Sequence, residues 1–226
     1  MIIEVKQTCA NLRQEFEIYY NKNFAYYGKL GSLHPMQDIL LYDAEKTVAE
    51  GRFRFSRWIN YIPFRYLFGS AALKRYFEIT YKNEKTAFFL SRQGFFKSFY
   101  VISTGDKGFR AYSRSIGEFH YVSIYKVDAE GNEEQIALVE TLLSTQNNRY
   151  NHKVYLRDSY DKYKDIMAMF ILYYSNYCFA HRLEVYVGST TVRQWSYSPY
   201  NKKYNSSWRE ENFPDENFWG SASLLK

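Results

Sequence analysis

Along most of the chain, apolar and polar residues alternate in short runs that come in pairs. FEIYYNKNFAYYGKL (16–30) has two aromatic runs flanking Asn21-Lys22-Asn23. DILLYDAEKTVAEGRFRF (38–55) repeats the scheme about Asp43–Lys46, and in its second half Phe53 and Phe55 alternate with Arg52 and Arg54. YFEITYKNEKTAFFLSR (76–92) turns at Lys82–Lys85, and FHYVSIYKVDAEGNEEQIALVETLL (119–143) at Asp128–Asn132. A period of two puts alternate side chains on opposite faces of a strand, so each pair predicts a hairpin with one buried face. FFKSFYVIS (95–103) and HKVYLR (152–157) predict further strands, and Gly105–Gly108 a turn. Met1–Asn11 gives a weak signal of no clear type. Ser56–Leu73 breaks the rhythm with Pro63, Gly69 and clustered aromatics, and predicts a loop, a short helix or an irregular crossover.

One stretch obeys a different rule. In DSYDKYKDIMAMFILYYSNYCFA (158–180), every residue from Ile166 to Tyr174 is apolar or aromatic, with no polar stripe at helical spacing. A helix that is hydrophobic all round must be surrounded on every side. The run is about 15 residues long against the roughly 20 that a bilayer core requires, so a buried central helix over about 160–180 is predicted rather than a membrane span. Asp158 or Ser159 fits an N-cap, with Asp161 and Asp165 near the positive end of the helix dipole. Locally joined hairpins imply an antiparallel sheet. Closing that sheet removes its edges and creates an interior that the apolar helix can fill.

Composition supports this picture. Aromatics make up 20% of the 226 residues, with 24 Tyr and 18 Phe, as strands tolerate well. Three hairpins (ILLYDAEKTVAEG, EITYKNEKTAFFL, VSIYKVDAEGNEEQIALVE) share a layout, which an antiparallel meander explains without an internal repeat. Cys9 and Cys178 are far apart and lack CxxC spacing, which predicts free thiols in a reducing compartment. Glu4 and Lys6 interrupt the apolar start, so no signal peptide is expected and the chain reads as cytoplasmic. Residues 1–187 read as one barrel domain. From 188 to 226 the chain becomes polar and rich in Asn, Ser and Tyr, punctuated by Trp195, Trp208 and Trp219, a tail expected to dock its tryptophans.

These stretches together resemble the tubby C-terminal-like superfamily, which includes tubby proteins, phospholipid scramblases and LURP-one-related proteins. The resemblance is carried by the hairpins YYNKNFAYY, LLYDAEKTVAEG and ITYKNEKTAFFL, and by HKVYLRD followed by DIMAMFILYYSNYCF. It covers about Glu15–Ala180 and is architectural. It implies a mainly β fold, a closed antiparallel β-barrel of about a dozen strands around a hydrophobic helix near the C-terminus. It also implies a non-enzymatic binding or scaffold protein, with contact to phosphoinositides or membranes as one theme. The tail is longer than that fold needs, and Trp58–Leu73 has no obvious counterpart in it. No calcium-binding or palmitoylation sequence of the scramblase kind is present, so scramblase activity is not implied.

Candidate binding chemistry concentrates in one run. Between Glu50 and Glu78 stand Arg52, Arg54, Arg57, Arg65, Lys74 and Arg75 with no acid, and their number equals the net charge of +6. Trp58, Tyr61, Phe64, Tyr66, Leu67 and Phe68 are interleaved with them. Cations attract anionic head groups while Trp and Tyr settle at the interface, so Arg52, Arg54, Arg57, Trp58, Arg65, Lys74 and Arg75 form a candidate lipid-binding set. The plain competitor is aromatic core with a solvated charged rim. Nucleic acid is the lesser reading: Arg92–Arg114 forms a second basic run, but no recognised nucleic-acid motif appears. Cys178 and His181 have CxxH spacing without a second pair, and neither a GxSxG elbow nor a P-loop is present. No catalytic set, cofactor or metal is therefore expected, with an unrecognised enzyme whose carboxylates the fold brings together as the further alternative, and the protein is placed in the cytoplasm, peripheral to the membrane if the lipid reading holds.

Overall fold

A computed structural model describes residues 1–10, 14–30, 38–44, 46–55, 75–81, 84–93, 98–116, 119–144, 149–179, 205 and 207–216. Twelve antiparallel strands follow one another: β1 (Ile2–Ala10), β2 (Gln14–Tyr20), β3 (Asn23–Leu30), β4 (Ile39–Asp43), β5 (Lys46–Phe55), β6 (Arg75–Tyr81), β7 (Glu84–Gln93), β8 (Ser98–Thr104), β9 (Gly108–Ile116), β10 (Phe119–Val127), β11 (Glu133–Ser144) and β12 (Arg149–Leu156). A 3-10 turn (Asp158–Tyr163) leads into α1 (Lys164–Phe179), and a short helix α2 (Trp208–Asn212) follows later. Each strand pairs with its sequence neighbours. β1 also pairs with β12, from Ile2↔Tyr155 to Lys6↔Asn151, so the strand order returns on itself as a closed barrel.

All four predicted hairpins are present, with their turns where the polar residues stand. At the first, Asn21 and Lys22 both take positive φ (47° and 70°), the geometry whose twist matches that of the flanking strands. Two further strands escaped the sequence reading. Met1–Asn11 contains β1, and Gly108–Ile116 forms β9, whose small and charged residues (GFRAYSRSI) blur the alternation.

Alternation in the sequence becomes inside and outside in the wall. Ile3, Val5, Phe16, Ile18, Ile39, Leu41, Phe77, Ile79, Phe89, Ile102, Phe109, Val122 and Val154 are buried in one core together with α1. Outward positions carry charges such as Glu4, Lys6, Lys29, Glu50 and Arg52. This polarity is the reverse of a membrane-spanning barrel, whose outer band is apolar. Among the described residues no helix is long and apolar enough to cross a membrane.

The central helix behaves as its sequence demands. Met167 to Ser175 are buried without a break, so α1 touches wall on every side. Phe170 meets Phe89 edge-on at 5.5 Å, and Tyr173 lies 5.4 Å from Phe77 between ring centroids. Two glycines make room. A Cβ on Gly28 would stand 2.9 Å from Leu172 of α1, and one on Gly51 would stand 2.1 Å from the Phe77 ring.

The start of the helix departs from expectation. The turn at Asp158 has Arg157 in the capping position and no side-chain cap. Asp158 instead bonds the N-terminal ammonium of Met1 at 2.5 Å, because β1 begins beside the end of β12. Asp161 and Asp165 do lie in first turns, as the dipole argument predicts.

Candidate functional site

The barrel has two unlike ends, fixed by strand direction. At the near end β12 hands over to α1, and the short turns β2–β3, β4–β5, β6–β7, β8–β9 and β10–β11 gather there. At the far end α1 stops, and the connection between β5 and β6 leaves at Phe55 and returns at Arg75. The predicted basic-aromatic run thus spans a far-end connection. Arg57, Trp58, Arg65 and Lys74 lie outside the described residues. Arg52 and Arg54 occupy alternate positions of β5 and so share one row of the wall. Arg75 pairs with Phe55 in the other row. Arg52 is exposed, and its guanidinium meets Glu50 Oε1 at 2.7 Å through both Nε and Nη2. The acid-free run therefore finds an acid just before its start, since residues two apart on a strand are neighbours on one face.

The near end is tightly tied. The Tyr20 hydroxyl donates to Asp165 Oδ1 at 2.6 Å. Burial, with Asp165 close by, pushes the Tyr20 and Tyr81 hydroxyls well above their ordinary range. Across the opening, Asp106 in the β8–β9 turn accepts from Tyr163 at 2.6 Å and pairs with Lys162 at 2.9 Å. Those donors hold its carboxyl well below the usual range. These are anchors for the helix, with every hydroxyl and carboxylate already engaged.

Inside, polar groups interrupt the apolar packing at Gln7 and Gln14, which bond each other and the Tyr150 amide, and at a relay that reaches the helix. His152 of β12 is fully buried, with Nδ1 2.8 Å from Thr141 Oγ1 and Nε2 3.2 Å from Ser175 Oγ on α1. Burial, with His120 a smaller influence, lowers its pKa to about 3, so the ring is neutral at ordinary pH. A neutral imidazole donates from one nitrogen and accepts at the other, and the two hydroxyls can serve both roles. Its three members could be mistaken for a nucleophile and base. They are sealed from solvent, and the relay pins α1 to the wall.

On the outer face of β10, β11, β12 and β1 a second, smaller core forms. Tyr121, Leu138, Tyr155 and Trp208 are buried together, with Ile2 and Phe213 packed against them. Trp208 thus docks as expected of the tail, while Trp195 and Trp219 lie outside the described residues. Charges surround this patch at low exposure. Tyr155 donates to Glu140 Oε2 at 3.0 Å, Arg209 Nη1 stands 4.0 Å from Glu140 Oε1, and Lys153 Nζ pairs with Glu216 Oε2 at 2.6 Å. Desolvation raises the Glu140 pKa, partly offset by Tyr155, Arg209 and Lys153. Arg157 donates to Asn212 Oδ1 at 3.1 Å and lies 5.7 Å from the Trp208 ring centre.

Sequence reasoning missed this set because Glu140, Lys153 and Arg209 are far apart in the chain and each reads alone as a solvated surface charge. The alternation of Lys153 and Tyr155 with inward Val154 and Leu156 does mark them as outward. A large outward aromatic beside a tryptophan-bearing tail was the available signal. Neither family models, curated proteins nor solved structures match this chain.

Proposed function

We propose that the protein is a non-enzymatic binding or scaffold protein of tubby-like type that attaches reversibly to anionic phospholipid surfaces through the far end of its barrel. The observation that carries the reading is the distribution of charge between the two ends. Connections at the far end hold Arg13, Arg57, Arg65, Lys74 and Lys97 against Asp38 and Glu118. Near-end connections hold Lys22, Lys82, Lys107, Arg157 and Lys162 against six acids: Glu45, Asp106, Asp128, Glu130, Asp158 and Asp161. With the Met1 ammonium added at Asp158 the near end balances to zero while the far end is net positive, and a body charged at one end turns that end toward an anionic surface. Trp58 and its aromatic neighbours supply the interfacial component. Each cation near such a surface contributes about 1 kcal/mol, enough for reversible attachment when several act together.

Liposome co-sedimentation with neutral and anionic vesicles tests this. Wild type is expected to pellet with anionic vesicles at low salt, and less as the Debye length contracts from about 10 Å at 0.1 M to about 3 Å at 1 M. Arg54→Glu/Arg57→Glu/Arg65→Glu is expected to stay in solution. A parallel titration with single-stranded RNA separates phosphate attraction in general from lipid attachment. Failure of the wild type to pellet with either vesicle at low salt overturns the proposal.

A further inference from the structure

The outer core joins wall and segment through side chains. Trp208 and Phe213 sit on Tyr121, Leu138 and Tyr155, while Glu216 pairs with Lys153 and Asn212 accepts from Arg157. The backbone hydrogen bonds described for residues 207–216, from Glu211 to Ser207, Phe213 to Arg209 and Glu216 to Phe213, stay within the segment. A helix of five residues has little stability of its own, so α2 forms where a wall of this shape receives it. Nothing in those contacts distinguishes the wall of the same molecule from the wall of another copy.

The connection is what separates the two cases. α1 stops at Phe179 at the far end, whereas Trp208 lies beside Arg157 at the near end. Residues 180–204 lie between, and at about 3.3 Å per residue they reach up to about 80 Å. The eight residues of β12 measure about 26 Å along the wall, so the connection exceeds what its own barrel requires. An element held by side chains and joined by a long connection is one that identical chains exchange at low cost, each docking on the other. We infer that two copies of this chain associate by such an exchange, the Trp208–Glu216 segment of each seated on the outer β10–β12 face of the other. The occupant's fit is the one the structure displays. A tethered segment competes at an effective concentration of about 1 mM, so docking on its own barrel prevails in dilute protein and exchange sets in as that concentration is approached.

Complementation between two full-length variants removes that competition. Trp208→Ser spoils the segment and leaves the wall intact, whereas Leu138→Arg spoils the wall in the outer core and leaves the segment intact. Each alone is expected to sediment as a monomer at about 0.1 mM, well below the effective concentration. Their equimolar mixture is expected to form a heterodimer, because the sound segment of one finds the sound wall of the other. Amide protection retained in β1–β12 shows that both barrels are folded. Should Leu138→Arg fail to fold, Lys153→Glu, which sets a carboxylate against Glu216, takes its place with the same readout. A mixture that stays monomeric, or a dimer formed by either variant alone, overturns the inference.

Discussion

Strand β12 is the boundary between two cores built on different principles. On its inner side Val154 and Leu156 join α1 in a body of mostly aliphatic and aromatic side chains, with His152 as the polar insertion that reaches the helix. On its outer side Lys153 and Tyr155 face Arg209, Glu216 and Trp208, where apolar area is small and charges sit at the margin. The inner core is enclosed by a complete wall, so burial alone sustains it. The outer core is one short helix on a curved surface and depends on directed contacts to hold its register. Enclosure allows chemistry to be undemanding, whereas a one-sided contact needs specific pairs.

The largest test of that contrast is Met169→Asp, which puts a carboxylate at a position 1% exposed on α1. It is expected to destabilise by at least about 4 kcal/mol, because no partner can reach the charge. Chemical denaturation indistinguishable from wild type would contradict an enclosed helix. Trp208→Ala removes the centre of the outer core and is expected to cost about 3 kcal/mol, toward the low end for buried aromatics. The inner core should remain folded, read as retained amide protection in β1–β12 while protection of α2 is lost.

The relay gives a pH signature confined to the inner core. With its folded pKa depressed to about 3, His152 contributes fully above the ordinary histidine pKa of about 6.5. Below that the unfolded chain takes up a proton that the folded chain refuses, so stability falls as pH drops toward 3. Relative to His152→Gln, the wild-type loss should reach about 1.4 kcal/mol per pH unit. Parallel stability–pH curves for the two proteins would show that the imidazole is not enclosed. The smallest effect is Glu216→Ala, expected to cost about 1 kcal/mol by leaving the ammonium of Lys153, 6% exposed, without its carboxylate. Coupling measured in a cycle with Lys153→Met should vanish once Trp208→Ala has undocked the segment.

How much was legible follows the same division. The nine-residue apolar run Ile166–Tyr174 and the four hairpins announced themselves, because enclosure and half-burial leave periodic signatures. Strands β1 and β9 did not, since IIEVKQTCA and GFRAYSRSI mix small and charged residues whose roles depend on the neighbour each strand acquires. Arg52 illustrates why the binding segment was only partly legible. Counting charges along the chain marked it as unopposed, while the strand geometry sets it against Glu50. Asp158 likewise read as a helix cap until the wall brought Met1 beside it.

The pairing of β1 with β12 has a consequence for how the molecule is made. β1, made before every other strand of the barrel, takes its second neighbour from residues about 150 positions later, and the helix that fills the interior is later still. Until Phe179 has emerged, all twelve strands have been synthesised with an apolar side and nothing to put against it. The nascent chain must carry open strand edges and an uncovered face through most of its synthesis, the condition under which sheets aggregate. Contacts this distant in sequence also make folding slow. Biogenesis of this protein is therefore a task for holding chaperones, and a chain terminated before α1 should be cleared rather than accumulate as a smaller folded form.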